Sequence, residues 1–225
     1  MKTFLTTLTA AAVVGALLAA QLGATAQDKS EAPARSEADQ AVIATQLPSY
    51  PKMQCPVSDE PLEEPIDLVR EGRLIRVCCK GCVKKVDADP AAMIALIDKA
   101  VIAEQSPSYP LKTCPVSGKP AEGANDVVHG TRLVRLCCEK CEAALEKDPA
   151  AVMAKIDAAL IEAQRPNYKV DVCLVSGEKL GSMGEPVDVL YGTRLVRLCC
   201  GGCKKAVAKK GPELMAKLDE LSAAK

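Results

Sequence analysis

The feature that most constrains this chain is a cysteine pattern written three times. Cys55, Cys114 and Cys173 recur at intervals of 59 residues, each opening a Cys-x-Val-Ser turn, and such a period marks tandem copies of one small unit rather than one large core. A second cluster follows in each copy: Cys78-Cys79-Lys80-Gly81-Cys82, Cys137-Cys138-Glu139-Lys140-Cys141 and Cys199-Cys200-Gly201-Gly202-Cys203. The stretches 130–138 and 192–200 are identical, Gly-Thr-Arg-Leu-Val-Arg-Leu-Cys-Cys. Three extra residues around Gly181-Ser182-Met183-Gly184 lengthen a loop of the third copy and leave its cysteines in place.

Composition explains why the cysteines matter. The chain has no Trp, one Phe and four Tyr against twelve Cys. Cores this small and aliphatic bury little apolar surface, and small domains of that kind rely on disulfides or metals. The only Phe, Phe4, lies in a segment that reads as a secretory signal: Lys2, an apolar run from Leu5 to Leu22, then Ala24-Thr25-Ala26 before Gln27. Residues 1–26 are therefore expected to be removed, leaving an exported protein, periplasmic or secreted, with no later segment apolar enough to span a membrane. With 29 basic and 29 acidic residues, the balanced charge gives no electrostatic claim on nucleic acid.

Each copy reads as turn, hairpin, helix, helix. β-prone runs flank Glu71-Gly72, His129-Gly130 and Tyr191-Gly192, which predicts tight hairpin turns there. A short helix follows each cluster, and Asp89-Pro90, Asp148-Pro149 and Gly211-Pro212 open a second with Pro at its first position. Met93, Leu96, Ile97, Ala100 and Val101 recur at helical spacing, and Met93, Met153 and Met215 read as core fillers. Ser106-Pro107-Ser108-Tyr109 and Arg165-Pro166-Asn167-Tyr168 break these helices, as Leu47-Pro48-Ser49-Tyr50 does before the first copy. The expected organisation is a flexible lead with a short helix over 27–46, then modules 47–105, 106–164 and 165–225.

Four cysteines per copy carry the chemistry. A structural zinc site needs four soft or borderline ligands converging as a tetrahedron, commonly from a turn and a helix start. Cys79 and Cys82 are three apart and Cys78 and Cys82 four apart, so a helix places them on one face, while Cys55 reaches them from the turn. Backbone N–H groups at that helix start stabilise thiolates. The candidate metal ligands are Cys55, Cys78, Cys79 and Cys82, then Cys114, Cys137, Cys138 and Cys141, then Cys173, Cys199, Cys200 and Cys203.

These residues resemble the treble-clef modules of the TRASH and YHS type, small cysteine domains associated with heavy-metal trafficking, resistance and sensing. The resemblance rests on Cys114-Pro115-Val116-Ser117-Gly118, the hairpin with its Gly turn, and Cys137 with Cys141, repeated across nearly all of 47–225. It implies an α+β chain of three treble-clef-like modules linked by helices. In that family the opening turn often carries a second Cys where Ser58, Ser117 and Ser176 stand here; the adjacent Cys79, Cys138 and Cys200 are the replacements on offer. Four thiolates per copy would suit Zn2+ and three would suit Cu+, one ion per module and three in all.

Two other classes compete with metal handling or buffering. An exported protein with an even number of cysteines is a natural disulfide scaffold, its modules stapled by disulfides or zinc around an interaction surface. Every pairing within a copy, however, joins cysteines that are adjacent or three or four apart, which strains the geometry. The Cys79-x-x-Cys82 spacing also fits a thiol–disulfide redox protein, although such proteins carry the motif once, on a longer βαβ scaffold. No enzyme is expected: His129 is the only histidine, and Glu71 and Tyr191 stand in what read as its positions. Arg76, Arg135 and Arg197, two residues before each cysteine pair, would either favour the thiolates or line a solvated face; Arg73, Arg132 and Arg194 alternate to the other side. Met53 and Met183 are spare soft ligands or packing residues.

Overall fold

The computed structural model describes residues 35–121 and 125–223. The expected signal sequence and most of the lead ahead of residue 35 lie outside the described residues. Those described form an α+β chain with six α-helices and three separate two-stranded antiparallel sheets. Helix α1 (Glu37–Gln46) comes first, capped by the Ser36 hydroxyl, which accepts from the Asp39 N–H.

The hairpins are β1 (Ile66–Arg70) with β2 (Arg73–Val77), β3 (Asn125–His129) with β4 (Arg132–Leu136), and β5 (Val187–Tyr191) with β6 (Arg194–Leu198). In the second and third copies the turn lies one residue later than the sequence predicts. His129 is the last residue of β3, opposite Arg132, and Tyr191 the last of β5, opposite Arg194. Left-handed φ values of 52°, 71°, 62° and 64° at Glu71, Gly72, Gly130 and Gly192 fix where each chain reverses. His129 thus corresponds to Arg70 in the first copy, not to Glu71.

Helix α2 (Lys80–Ala88) follows the first cluster, and a single 3-10 turn (Glu139–Cys141) with α4 (Glu142–Lys147) follows the second. Helices α3 (Pro90–Gln105) and α5 (Pro149–Gln164) begin where the Asp-Pro signals place them, with Asp89 and Asp148 accepting from the N–H groups of Ala92 and Ala151. The third copy lacks the capping Asp. There α6 (Lys204–Ala223) is two helical segments meeting at a non-helical Lys210 (φ −119°, ψ 20°), and the second segment starts at the expected Gly211-Pro212.

The long helices do double duty. Helices α1, α3 and α5 each end in a glutamine whose amide clasps the backbone of the following hairpin. Gln46 Nε2 donates to Gly72 O and its Oε1 accepts from Leu74 N, both at 2.8 Å. Gln105 does the same with Thr131 O and Leu133 N, and Gln164 with Thr193 O and Leu195 N. Four residues after each glutamine, Tyr50, Tyr109 and Tyr168 turn a hydroxyl to the N–H of Arg76, Arg135 and Arg197 at 3.1–3.3 Å. The repeating structural unit therefore begins with the helix before each expected boundary, and cuts at 47, 106 or 165 would part each hairpin from its clasp.

Neighbouring copies also share apolar surface. Leu133 and Val128 of the second hairpin pack into the core of the first copy, which Ile75, Val77, Val86, Ile97 and Val101 form. Leu190 of the third hairpin packs on the second core, built on Val134, Leu136, Leu145, Val152 and Ile156. Met93 and Met153 pack at the edges of their cores and Met215 is buried in the third. At the junction the buried hydroxyls of Ser49 and Thr131 lie 2.7 Å apart, and Thr131 Oγ1 donates to Gln46 O at 2.6 Å. The third hairpin's turn touches the same segment: a Cβ on Gly192 would sit 2.1 Å from Pro48 O. Gly192→Ala, with φ of +64° and no room, is expected to destabilise the fold by about 3 kcal/mol, read as a lowered urea midpoint at constant slope.

Candidate metal centre

The opening cysteine of each copy sits in a tight turn closed at both ends by backbone. Cys55 N donates to Glu60 O at 2.8 Å and Asp59 N to Cys55 O at 2.9 Å. Cys114 pairs likewise with Lys119 and Gly118, and Cys173 with Glu178 and Gly177. The turn needs a left-handed residue, which is Gly118 or Gly177 in two copies and Asp59, with φ of 60°, in the first. Cys55, Cys114 and Cys173 are 2%, 1% and 0% exposed, so the turn drives each thiol into the protein.

The second cluster arrives from the end of the hairpin. β2 delivers Cys78, the chain passes through extended Cys79, and the first helical turn presents Cys82. In each copy three sulfurs converge: Cys55, Cys78 and Cys82, then Cys114, Cys137 and Cys141, then Cys173, Cys199 and Cys203, all within 4.8 Å of one another. Contacts of 3.8 Å for Cys78–Cys82, 3.7 Å for Cys137–Cys141, and 3.9 and 3.8 Å for Cys203 with Cys199 and Cys173 define the edges. Four sulfurs bound about 2.3 Å from one ion lie about 3.8 Å apart, so each triad is close enough to hold a metal ion. No two of the twelve cysteines are bonded.

The fourth cysteine of each copy stands apart from that group. Cys79 and Cys138 are exposed and Cys200 half-exposed, whereas Cys55, Cys82, Cys114 and Cys141 are buried. Cys79 Sγ lies 3.6 Å from Cys82 Sγ, Cys138 Sγ 3.7 Å from Cys137 Sγ, and Cys200 Sγ 3.9 Å from Cys199 Sγ. Each thus touches the rim of the triad.

A serine hydroxyl adjoins each triad, a role that residue type alone does not announce. Ser58, Ser117 and Ser176 place Oγ 3.3, 3.2 and 3.3 Å from the sulfurs of Cys78, Cys137 and Cys199. In the second and third copies the same oxygen accepts from Lys119 N and Glu178 N. Burial alone would raise the Cys55, Cys114 and Cys173 thiols; the hydrogen bond from Ser58, Ser117 or Ser176, with backbone N–H groups, outweighs it and brings each down to about 6. Burial and neighbouring thiols push Cys82, Cys141 and Cys203 up to about 12. Each triad therefore holds a ready anion beside a thiol that a cation must deprotonate.

The arginines near the clusters are engaged elsewhere. Arg76, Arg135 and Arg197 pair across their hairpins with Asp67, Asp126 and Asp188 at 2.8–2.9 Å, and Arg76 and Arg135 lie over the rings of Tyr50 and Tyr109. Arg73, Arg132 and Arg194 bind Asp98, Asp157 and Asp219, tying the three hairpins to α3, α5 and α6. Met53 packs in the first core, Met183 is 62% exposed, and His129 joins no ligand group among the described residues.

Fold and site together define a tandem array of three hairpin–helix units, each converging three thiols on one point. No family model, curated protein or solved structure matches the chain.

Proposed function

We propose that this chain is an exported metal-binding protein that holds one thiophilic ion, Cu+ or Zn2+, in each of its three copies, for handling or buffering and without turnover. The observation that carries the proposal is the triad of sulfurs mutually within 4.8 Å, built three times from the same turn and helix start. Three thiolates suit a soft monovalent ion; zinc would complete its tetrahedron with water. The hairpin followed by a helix, with ligands from a turn and a helix start, supports the resemblance to treble-clef modules of the TRASH and YHS type. Native mass spectrometry of the chain purified without reductant tests the proposal. Three ions released to a chelator support it, whereas a metal-free chain lighter by twelve hydrogens that takes up no metal after reduction makes the units a disulfide scaffold. Ions that resist all competition would make the sites staples.

Binding should also carry a proton signature. In the first copy Cys55 is already ionised above about pH 6 and Cys82 holds its proton to about 12. Cys78, despite its Ser58 hydrogen bond, is raised by desolvation and the thiols around it. One ion therefore displaces two protons between pH 6 and 9, and three below 6. The affinity of a chain keeping only this site (Cys114→Ser with Cys173→Ser) is expected to rise about 100-fold per pH unit in that window and more steeply below it. Competition titrations across pH read the slope.

A further inference from the structure

We infer that Cys79, Cys138 and Cys200 are exchange thiols, which carry the ion between each triad and a thiol-bearing or chelating partner in solution without holding it at rest. The inference rests on the metal-binding function proposed above. Three observations support it. The triad sulfurs lie mutually within 4.8 Å and the fourth cysteine falls outside that group in all three copies, so it is not placed to share one ion equally with the other three. Its sulfur nevertheless touches a triad sulfur each time, at 3.6, 3.7 and 3.9 Å. The opening cysteine is sealed in the core, while the fourth is the most solvent-accessible thiol of the first two copies. An incoming molecule meets it first.

The position is fixed by backbone. Cys79, Cys138 and Cys200 are extended, with φ of −156°, −170° and −159°, and each accepts, through its carbonyl, the N–H of Cys82, Cys141 or Cys203. The thiol is thus held at the lip of the first helical turn, where N–H groups favour its anion. The pair of residues between it and the last cysteine is different in each copy, Lys80-Gly81, Glu139-Lys140 and Gly201-Gly202, yet the placement is the same.

Transfer then proceeds by ligand substitution with no change of oxidation state. The exposed sulfur gives up its proton as its bond to the ion forms. The triad thiolate it displaces takes up a proton as its own bond breaks. The partner's donor atom next bonds the ion at the surface, a thiol donor losing its proton as it does so; the remaining bonds to the triad and then the bond to the exposed sulfur break, and the released sulfurs regain the protons they held before the ion was bound. Thiolate exchange at a soft ion follows such associative steps, and it is fastest where an anionic sulfur is accessible.

The test uses the full chain and its triple variant Cys79→Ser, Cys138→Ser, Cys200→Ser, both loaded anaerobically with Cu+. Stoichiometry and affinity are measured by competition, and the transfer rate by stopped-flow absorbance with a chromophoric Cu+ chelator. The expected result is three ions per chain in both proteins, affinity within tenfold, and transfer slowed tenfold or more in the variant. Fewer than three ions or a larger loss of affinity in the variant would make these cysteines resting ligands and overturn the inference. Retained binding with transfer slowed less than tenfold would overturn it as well. A parent chain that takes up no Cu+ fails earlier, at the metal-binding function itself.

Discussion

Cys141→Ser is expected to lower the bound ions from three to two, leaving the first and third copies loaded. Cys141 is 7% exposed and supplies one corner of the second triad, 3.7 Å from Cys137. Losing a residue that merely orients a ligand costs roughly 10–100-fold in metal affinity, and losing one of three ligands must cost more, so the second copy should be empty under conditions that fill the others. Serine keeps the volume but not the soft donor, and the metal-free fold should lose only about 1–2 kcal/mol through the buried hydroxyl. Competition with a chelator and urea melts of the metal-free protein separate the two effects. Should the variant bind three ions with unchanged affinity, the triad is not the site.

The sequence showed the cysteines, the copy number, the helix starts and the hairpins because each is written in local signals. Asp-Pro supplies a cap and a first helical residue in one dipeptide, and both Asp89 and Asp148 act as written. The hairpin turns were legible to within one residue. The slip arose because His129-Gly130 looks like the turn when Gly130 and Thr131 form it, and register depends on pairing that no single dipeptide encodes.

What was not legible depends on contacts between distant residues. Gln46, Gln105 and Gln164 end helices and look like surface residues, yet their amides close the hairpin 28 to 31 residues on. A signal was present: Gln-x-Pro-x-Tyr stands at 46–50, 105–109 and 164–168. The segment around the proline and tyrosine reads as a helix breaker, which leaves the glutamine without a role. The arginine before each cysteine pair offered the opposite lesson. Its spacing from the cysteine fits thiolate activation, but an aspartate directly across the hairpin takes its charge, and cross-strand pairing depends on register rather than sequence proximity.

Ser117→Cys should have the largest effect in the other direction, raising the zinc affinity of the second copy about 100-fold or more by adding an anionic fourth ligand. Ser117 Oγ lies 3.2 Å from Cys137 Sγ and hydrogen-bonds the Cys114 thiol as well, so a sulfur there would stand beside two triad members at close to the thiolate spacing. A tetrahedral ion bound by three thiolates keeps a water on its open side, which four protein sulfurs would displace. A soft monovalent ion already satisfied by three sulfurs gains little, so Cu+ affinity should change less than tenfold and the preference for Cu+ over Zn2+ should narrow at that copy alone. The serine also lowers Cys114 to about 6, and its loss should return part of the Cys114 proton. Zinc uptake by the variant is therefore expected to release more protons per ion than the parent site does at pH 7. A calorimetric titration in two buffers of different ionisation enthalpy reads that count. Unchanged zinc affinity would mean that the serine side of the triad faces away from the ion, and the ion would then have to be held from the side of the exposed cysteine.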